Sequence, residues 1–406
     1  MTEINVSGFR FAGVACGLKP QTAAYGGRAL DLALVVSDAP CAAAGVFTQN
    51  RFPAAPVLYD QQALQANPAA VRAVVINAGN ANACTGAQGL ADAARMAALA
   101  EAALELPAGS ALVMSTGVIG LPLPMEKVEA GIQTAVAGLC AAPRRGRPSH
   151  DGVHLAAQAI MTTDTRPKLA ARQVGAASLL GLAKGAAMIH PNMATMLAVI
   201  VSDAAVEPAA LHAMLRRVVD GSFNAISVDG DTSTNDTVLV LANGLAGPVD
   251  LAAFEAALAE ICTDLAQQIV RDAEGASKFI AVQVSGAASQ AEARQVAQTI
   301  ATSSLVKTAV YGGDPNWGRV LAAAGRSGVA LDPSRAALWF SGDGGAEYQV
   351  VAGGAPLPYD EAEAARIFTC HDLLIHLDMG AGAAAATVWT SDLTHDYVSL
   401  NAHYRT

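Results

Sequence analysis

Short strand-like runs alternate with alanine-rich helical runs along this chain, and that alternation limits its fold more tightly than any other feature. RAVVINAGN (72–80) is followed by GLADAARMAALAEAALE (89–105), and ALVMSTG (111–117) by LPMEKVEAGIQTAVAGLC (123–140). The first member of each pair is apolar and β-branched over a strand's length, whereas the second repeats its apolar residues at helical spacing. Further on, TMLAVIVSD (195–203), DTVLVLANG (236–244) and FIAVQVSG (279–286) read as buried strands and VDLAAFEAALAEICTDLAQQIVRDA (249–273) as a long helix. A helix over 288–303 and strands near ALWFSG, LLIHLDM and AAATVWTSDL form a separate C-terminal unit. The pattern predicts a mixed α/β or α+β architecture. RRGRPSHDG (144–152) is the exposed loop expected before the central region.

With 406 residues, 52 % of them hydrophobic, the chain can bury a large core, and at about 150 residues per domain it should hold two or three domains. Its mean hydropathy of +0.34 is inflated by alanine and glycine. Charged residues break every apolar run before the roughly 20 residues that a membrane helix needs. The opening MTEINVSGFRFAGVACGLKP carries Glu3 and has no basic segment ahead of an apolar stretch, so no secretory signal is expected and the expected compartment is the cytoplasm. Cys16, Cys41, Cys84, Cys140, Cys262 and Cys370 form no CxxC pair, which argues against a zinc site and a disulfide framework. A net charge of −10 offers no basic footprint for nucleic acid.

Three stretches resemble known motifs and depart from them. DGDTSTND (229–236) alternates Asp229, Asp231 and Ser233 like a calcium loop, but Thr234 stands at the glycine position and Val240 at the closing glutamate position. YGGDPNWGR (311–319) has neither the GK[ST] of a phosphate loop nor GxGxxG, and reads as a polar turn opening a helix. His371 and His376 are an odd number of residues apart on an expected strand, so they face opposite sides and share no metal.

In HPNMATMLAVIVSDA (190–204) a polar turn runs through Ala194 straight into Thr195 and a β-branched strand. Two readings stand side by side. Thr195 can be a strand-opening residue bonded to the neighbouring turn, or the chain can cut itself between Ala194 and Thr195, leaving a threonine whose free α-amine is its own base. Other polar residues sit in similarly apolar surroundings: Ser115-Thr116-Gly117, Thr162-Thr163-Asp164-Thr165, Lys184, Glu274, Asn401 and Thr406. Each has a plain structural explanation singly; together they call for another.

GFRFAGVACGLK, GVFTQNRFPAAPV, INAGNANACTG, STGVIG, IMTTDT, KGAAMIHPNMATML, SVDGDTSTNDT, EGASKF, KTAVYGGDPNWGR and LNAHYRT occur here in one order. In these stretches, over nearly its whole length, the chain resembles the ornithine acetyltransferases, also called glutamate N-acetyltransferases, of arginine biosynthesis. The resemblance implies autocatalytic scission between Ala194 and Thr195, with Thr195 then serving as nucleophile. It implies a layered α/β/β/α sandwich related to self-processing amidohydrolases and a smaller α/β C-terminal domain. It further implies that chains 1–194 and 195–406 stay associated, with 195–284 completing the sandwich and 285–406 forming the C-terminal domain, and that these protomers assemble into larger homo-oligomers. By the same resemblance the Thr116 hydroxyl and Gly117 N–H are expected to face the oxyanion, and Thr162, Lys184, Thr195, Glu274, Asn401 and Thr406 to bind substrate. N-acetylornithine donates and glutamate accepts; no metal or resident cofactor is expected, and acetyl-CoA is a second donor the resemblance admits, as a substrate.

The chemistry is consistent with this. A threonine hydroxyl is a poor nucleophile at neutral pH, whereas an α-amine with an unperturbed pKa of about 7.7–8.0 can take its proton. Charge matching assigns Lys184 to the amino-acid carboxylate and Glu274 to the cationic end of ornithine. Two alternatives carry different expectations: a self-processed aminopeptidase or amidase, in which water replaces the acceptor amine, and a non-catalytic amino-acid-binding protein that is never cleaved.

Overall fold

The computed structural model describes residues 5–19, 29–141, 150–190 and 196–403. Its strands, in chain order, are β1 (Phe9–Val14), β2 (Leu32–Phe47), β3 (Val71–Asn80), β4 (Ala111–Val118), β5 (Lys168–Val174), β6 (Ala177–Lys184), β7 (Leu197–Ala205), the two-residue β8 (Ile226–Ser227), β9 (Thr237–Pro248), β10 (Phe279–Ala287), β11 (Ala337–Gly342), β12 (Tyr348–Ala352), β13 (Ala355–Pro356), β14 (Asp372–Asp378) and β15 (Ala384–Ser391). The helices are α1 (Ala55–Ala66), α2 (Gly86–Ala103), α3 (Met125–Ala141), α4 (His150–Ala159), α5 (Pro208–Asp220), α6 (Leu251–Arg271), α7 (Gln290–Ala301), α8 (Ser304–Tyr311), α9 (Trp317–Gly325), α10 (Glu361–Ile367) and α11 (His395–His403). Residues 144–149 of the expected loop lie outside the described residues, and α4 already begins at His150.

β2 organises the first sheet, whose order is β4-β3-β2-β9-β7-β6-β5 with β1 also on β2. The first half of β2 pairs with β1 and β3; after a register break between Val36 and Cys41, Ala42–Phe47 pair with β9. One strand thus belongs to two blades. Side chains alternate across the strands, and the two faces have different partners. Ile76 of β3 and Met114 of β4 meet Leu182, Val199 and Leu241 of β6, β7 and β9 in one buried cluster, the inner layer between the blades. Their neighbours Val75 and Val113 face α2 and α3, whereas Ile200 and Val240 face α5 and α6. This is the α/β/β/α sandwich. Alanine makes the stacking close: Ala93, Ala97 and Ala100 of α2 are buried against the sheet.

The second sheet has the order β13-β12-β11-β14-β10-β15-β8 and shares a core with α7, α9 and α10. β10 spans the junction expected at 284/285 and hydrogen-bonds wholly within this sheet, parallel to β14 and antiparallel to β15. β8 leaves the sandwich region to pair with Trp389 and Thr390 of β15. The expected turn at 311–319 does open a helix, α9, whose first turn is capped by the Asn316 side chain accepting from Arg319 N at 3.1 Å.

The layering sets an expected contrast. Leu182 is wholly buried between the blades, whereas Leu245 is 54 % exposed. Leu182→Ala should cost about 2–5 kcal/mol in urea unfolding, and Leu245→Ala within about 0.5 kcal/mol. Equal costs would contradict the inner layer.

Candidate active site

β3 and β4 run parallel and in register until Gly79 faces Gly117, where the register shifts at Asn80. Both glycines are left-handed, with φ of +108° and +132°, and a Cβ on Gly117 would lie 2.3 Å from the Gly79 carbonyl carbon. Only glycine fits there. Irregular pairing of this kind re-aims a strand end, and here the end carries Thr116 and Gly117. The Ser115 hydroxyl donates to Asn77 Oδ1 at 2.6 Å, and Asn235 Nδ2 donates to the carbonyls of Ser115 and Ala81 at 2.8 and 2.6 Å.

Lys184, at the end of β6, donates from Nζ to Thr116 Oγ1 at 3.3 Å. An ammonium only donates, so the Thr116 oxygen accepts and its own proton is free to point elsewhere. Burial pushes the Lys184 pKa down, and Asp164 acts against it. Asp164 is itself wholly buried, which alone would raise its pKa, but Lys168 and Lys184 hold it well below the usual carboxylate range. Its oxygens accept from Lys168 Nζ at 2.6 Å, Gly185 N at 2.7 Å and Thr162 N at 2.9 Å. Lys168 also reaches Asp272 at 2.6 Å, and Asp272 accepts from the backbone and hydroxyl of Thr165. One buried lysine therefore joins the Thr162–Thr165 turn to the end of α6.

Two residues beyond Asp272, Glu274 N donates to Ala186 O at 2.9 Å. Gly275 has a φ of +66°, and a Cβ there would lie 2.4 Å from Tyr397 N, so α11 rests directly on this turn. From α11, Asn401 Nδ2 donates to Glu274 Oε2 at 2.8 Å. Tyr397 donates its hydroxyl to Asp229 Oδ2 at 3.2 Å, and the same carboxylate accepts from the backbone of Met188 and Ile189 at 2.6 and 2.9 Å.

These elements enclose a cavity of about 130 Å³ bordered by Thr116, Gly117, both members of the Thr162-Thr163 pair, Lys184, Glu274 and Asn401. Ala194, Thr195 and Thr406 lie outside the described residues. Met196, the next residue after Thr195, donates its N–H to the buried Asp236 Oδ1 at 3.1 Å. Sequence reasoning passed over Asp229, Asp231, Asn235 and Tyr397, which also line the cavity. The 229–236 stretch, set aside as a failed calcium loop, is a cavity wall. Its signal was a run of Ser, Thr, Asn and Asp between two buried strands, residues able to bind backbone groups that no ladder satisfies. Among the described residues no group of three or more His, Cys, Asp or Glu side chains could hold a metal ion.

The ArgJ family model matches residues 10–406 of the chain. The arginine biosynthesis bifunctional protein ArgJ of Symbiobacterium thermophilum is 49 % identical, over 98 % of this chain and 97 % of that protein. The protein of the same name from Thermotoga neapolitana is 47 % identical, over 98 % and 99 %. Among solved structures, that of the arginine biosynthesis bifunctional protein ArgJ from Bacillus halodurans is 40 % identical, covering 50 % of this chain and 96 % of its own, with a TM-score of 0.47.

Lys168→Met would leave Asp164 and Asp272 buried without their shared cation. It should cost about 3–5 kcal/mol in denaturant unfolding. A cost below about 1 kcal/mol would show that the carboxylates find other partners and that Lys168 does not hold the site together.

Proposed function

The chain belongs to the ArgJ family, and on that footing we propose that it is an acyltransferase of arginine biosynthesis, moving an acetyl group from N-acetylornithine to glutamate through an acetyl-threonine intermediate. The observation that carries this reading is the gathering of residues scattered from 116 to 401 around one cavity. Thr195 Oγ attacks the acetyl carbonyl as its proton passes to the Thr195 α-amine. The oxyanion that forms is stabilised by the Thr116 hydroxyl and Gly117 N–H. The C–N bond breaks, the proton goes to the departing amine of ornithine, and the α-amine of glutamate then attacks acetyl-Thr195 to regenerate the hydroxyl. Acetyl-CoA enters the same first step as an alternative donor, which agrees with the bifunctional designation of the relatives. That designation also favours transfer over the amidase and non-catalytic alternatives.

The nucleophile is released by Thr195 attacking the Ala194 carbonyl, an N-to-O shift, and hydrolysis of the ester. The ladders support continued association of the two chains: β6 pairs with β7, and β2 with β9, across the cut. Thr162, Asn401 and Thr406 complete the substrate contacts in this reading, and the donors of Lys184 not spent on Thr116 suit the substrate carboxylate. Six free thiols support a reducing compartment, the cytoplasm, and among the described residues no helix is long and apolar enough to cross a membrane.

Denaturing electrophoresis of the mature protein should give two fragments, the second beginning at Thr195 by N-terminal sequencing. Thr195→Ala should remain one chain and transfer no acetyl group; an uncleaved wild type that transfers acetyl groups would remove the proposed base.

Glu274 tests the charge assignment. Asn401 occupies its Oε2, and Oε1 has no hydrogen-bond partner among the described residues. Glu274→Gln should lower kcat/KM for ornithine as acetyl acceptor by roughly 10–150-fold relative to glutamate, the worth of a charge-assisted hydrogen bond of about 1.5–3 kcal/mol. Equal losses for both acceptors would assign Glu274 to the shared amino-acid frame instead.

A further inference from the structure

Adjacent residues of the 229–236 wall hold two different parts of the active centre. Asn235 spends both amide protons on carbonyls at the irregular end of the β3–β4 pair, those of Ala81 and Ser115. Its Oδ1 accepts from the Thr234 hydroxyl at 2.6 Å, so the amide has one orientation: turned over, its oxygen would face two carbonyls. Asp236 holds Met196 N with Oδ1, and its own carbonyl accepts from Thr48 N at 2.9 Å. Both side chains are buried, with 6 % and 0 % of their residues exposed. Cα atoms of consecutive residues lie about 3.8 Å apart. The separation between the strand end carrying Thr116 and the chain that follows Thr195 is therefore fixed across one peptide unit. The ladder to β3 fixes the backbone of β4 as far as Gly117, where its register shifts at Asn80, and the Asn235 side chain ties together the carbonyls on either side of that shift, those of Ser115 and Ala81.

We propose that Asn235 is a positioning residue of the oxyanion hole: through the Ser115 and Ala81 carbonyls it holds Thr116 and Gly117 at their working distance from the start of β7. The assignment rests on the acyl-transfer reading of Thr116 and Gly117. It separates Asn235 from the residues that touch substrate. Loss of its two donors leaves binding groups in place and lets the oxyanion donors drift, which affects the transition state more than the ground state.

The test uses the full-length, self-processed protein with Asn235→Ala and the shape-conserving Asn235→Asp. The expected result is a fall in kcat of about 10²-fold with KM for N-acetylornithine changed less than about 3-fold. Thr116→Ala should cost at least about 10-fold less in the Asn235→Ala background than in wild type, because both changes act on one group. Amide exchange by mass spectrometry should speed up in the peptide covering 111–120 and stay unchanged in β10 and β14. A rise in KM with kcat intact, or a full additive cost for the double variant, would overturn the proposal. So would failure of both variants to fold, which would make Asn235 a general contact of the fold. The exchange measurement needs no turnover. A wild type without acetyl transfer whose variants still exchange faster at 111–120 would sink the functional reading alone, and an active wild type whose variants keep both kcat and exchange would sink the positioning role alone.

Discussion

Taking the Lys168 ammonium out of water would cost several kcal/mol if it were alone. Between Asp164 and Asp272, each at 2.6 Å, the cost is offset and the three charges become mutually dependent. Much else follows from that arrangement. Asp164 fixes Thr162 and Gly185 through their N–H groups, and Asp272 fixes Thr165. The turn that offers threonine hydroxyls to the cavity, the strand end that offers Lys184 and the helix end that leads to Glu274 are thereby referred to one point. Lys184 is buried nearby, where burial pushes its pKa down and Asp164 acts against that shift.

The same economy of space shows in the backbone. Glycine at 79, 117 and 275 allows chain to touch chain where any side chain would intrude, and alanine on α2 lets the helix lie close on the sheet. The cavity's polar groups are thus carried on strand ends and turns whose freedom has been removed by contact, which is the condition for donors to meet a developing charge without reorganising.

Secondary structure was largely legible in the sequence because period-2 and helical spacings are local. α6 lies within the 249–273 run and α7 within 288–303. The sandwich itself came from family resemblance, since nothing in the residues of β2 reveals that its two halves serve different blades. FIAVQVSG alternates equally well for either sheet, which is why its membership in the second one was not visible. The site divides in the same way. Thr116, Lys184 and Glu274 stood out as polar residues in apolar surroundings, whereas Asn235 and Asp236 lay in a stretch that resembled a calcium loop and departed from its pattern. Their hydrogen bonds go to backbone groups distant in the sequence, and distance along the chain is what a local pattern cannot supply.

β8 gives the 229–236 wall an unusual mounting. Ile226 and Ser227 are hydrogen-bonded into the second sheet, Thr237 begins a strand of the first, and Lys307 of α8 donates to the Val228 carbonyl at 2.6 Å. The wall is a span with one abutment on each sheet. A displacement of either sheet would be felt along the span as tension or slack, and so at the amide that grips Ser115. The C-terminal unit contributes stiffness to the cavity as well as the side chains of α11, because without it the span would lose one of its two abutments.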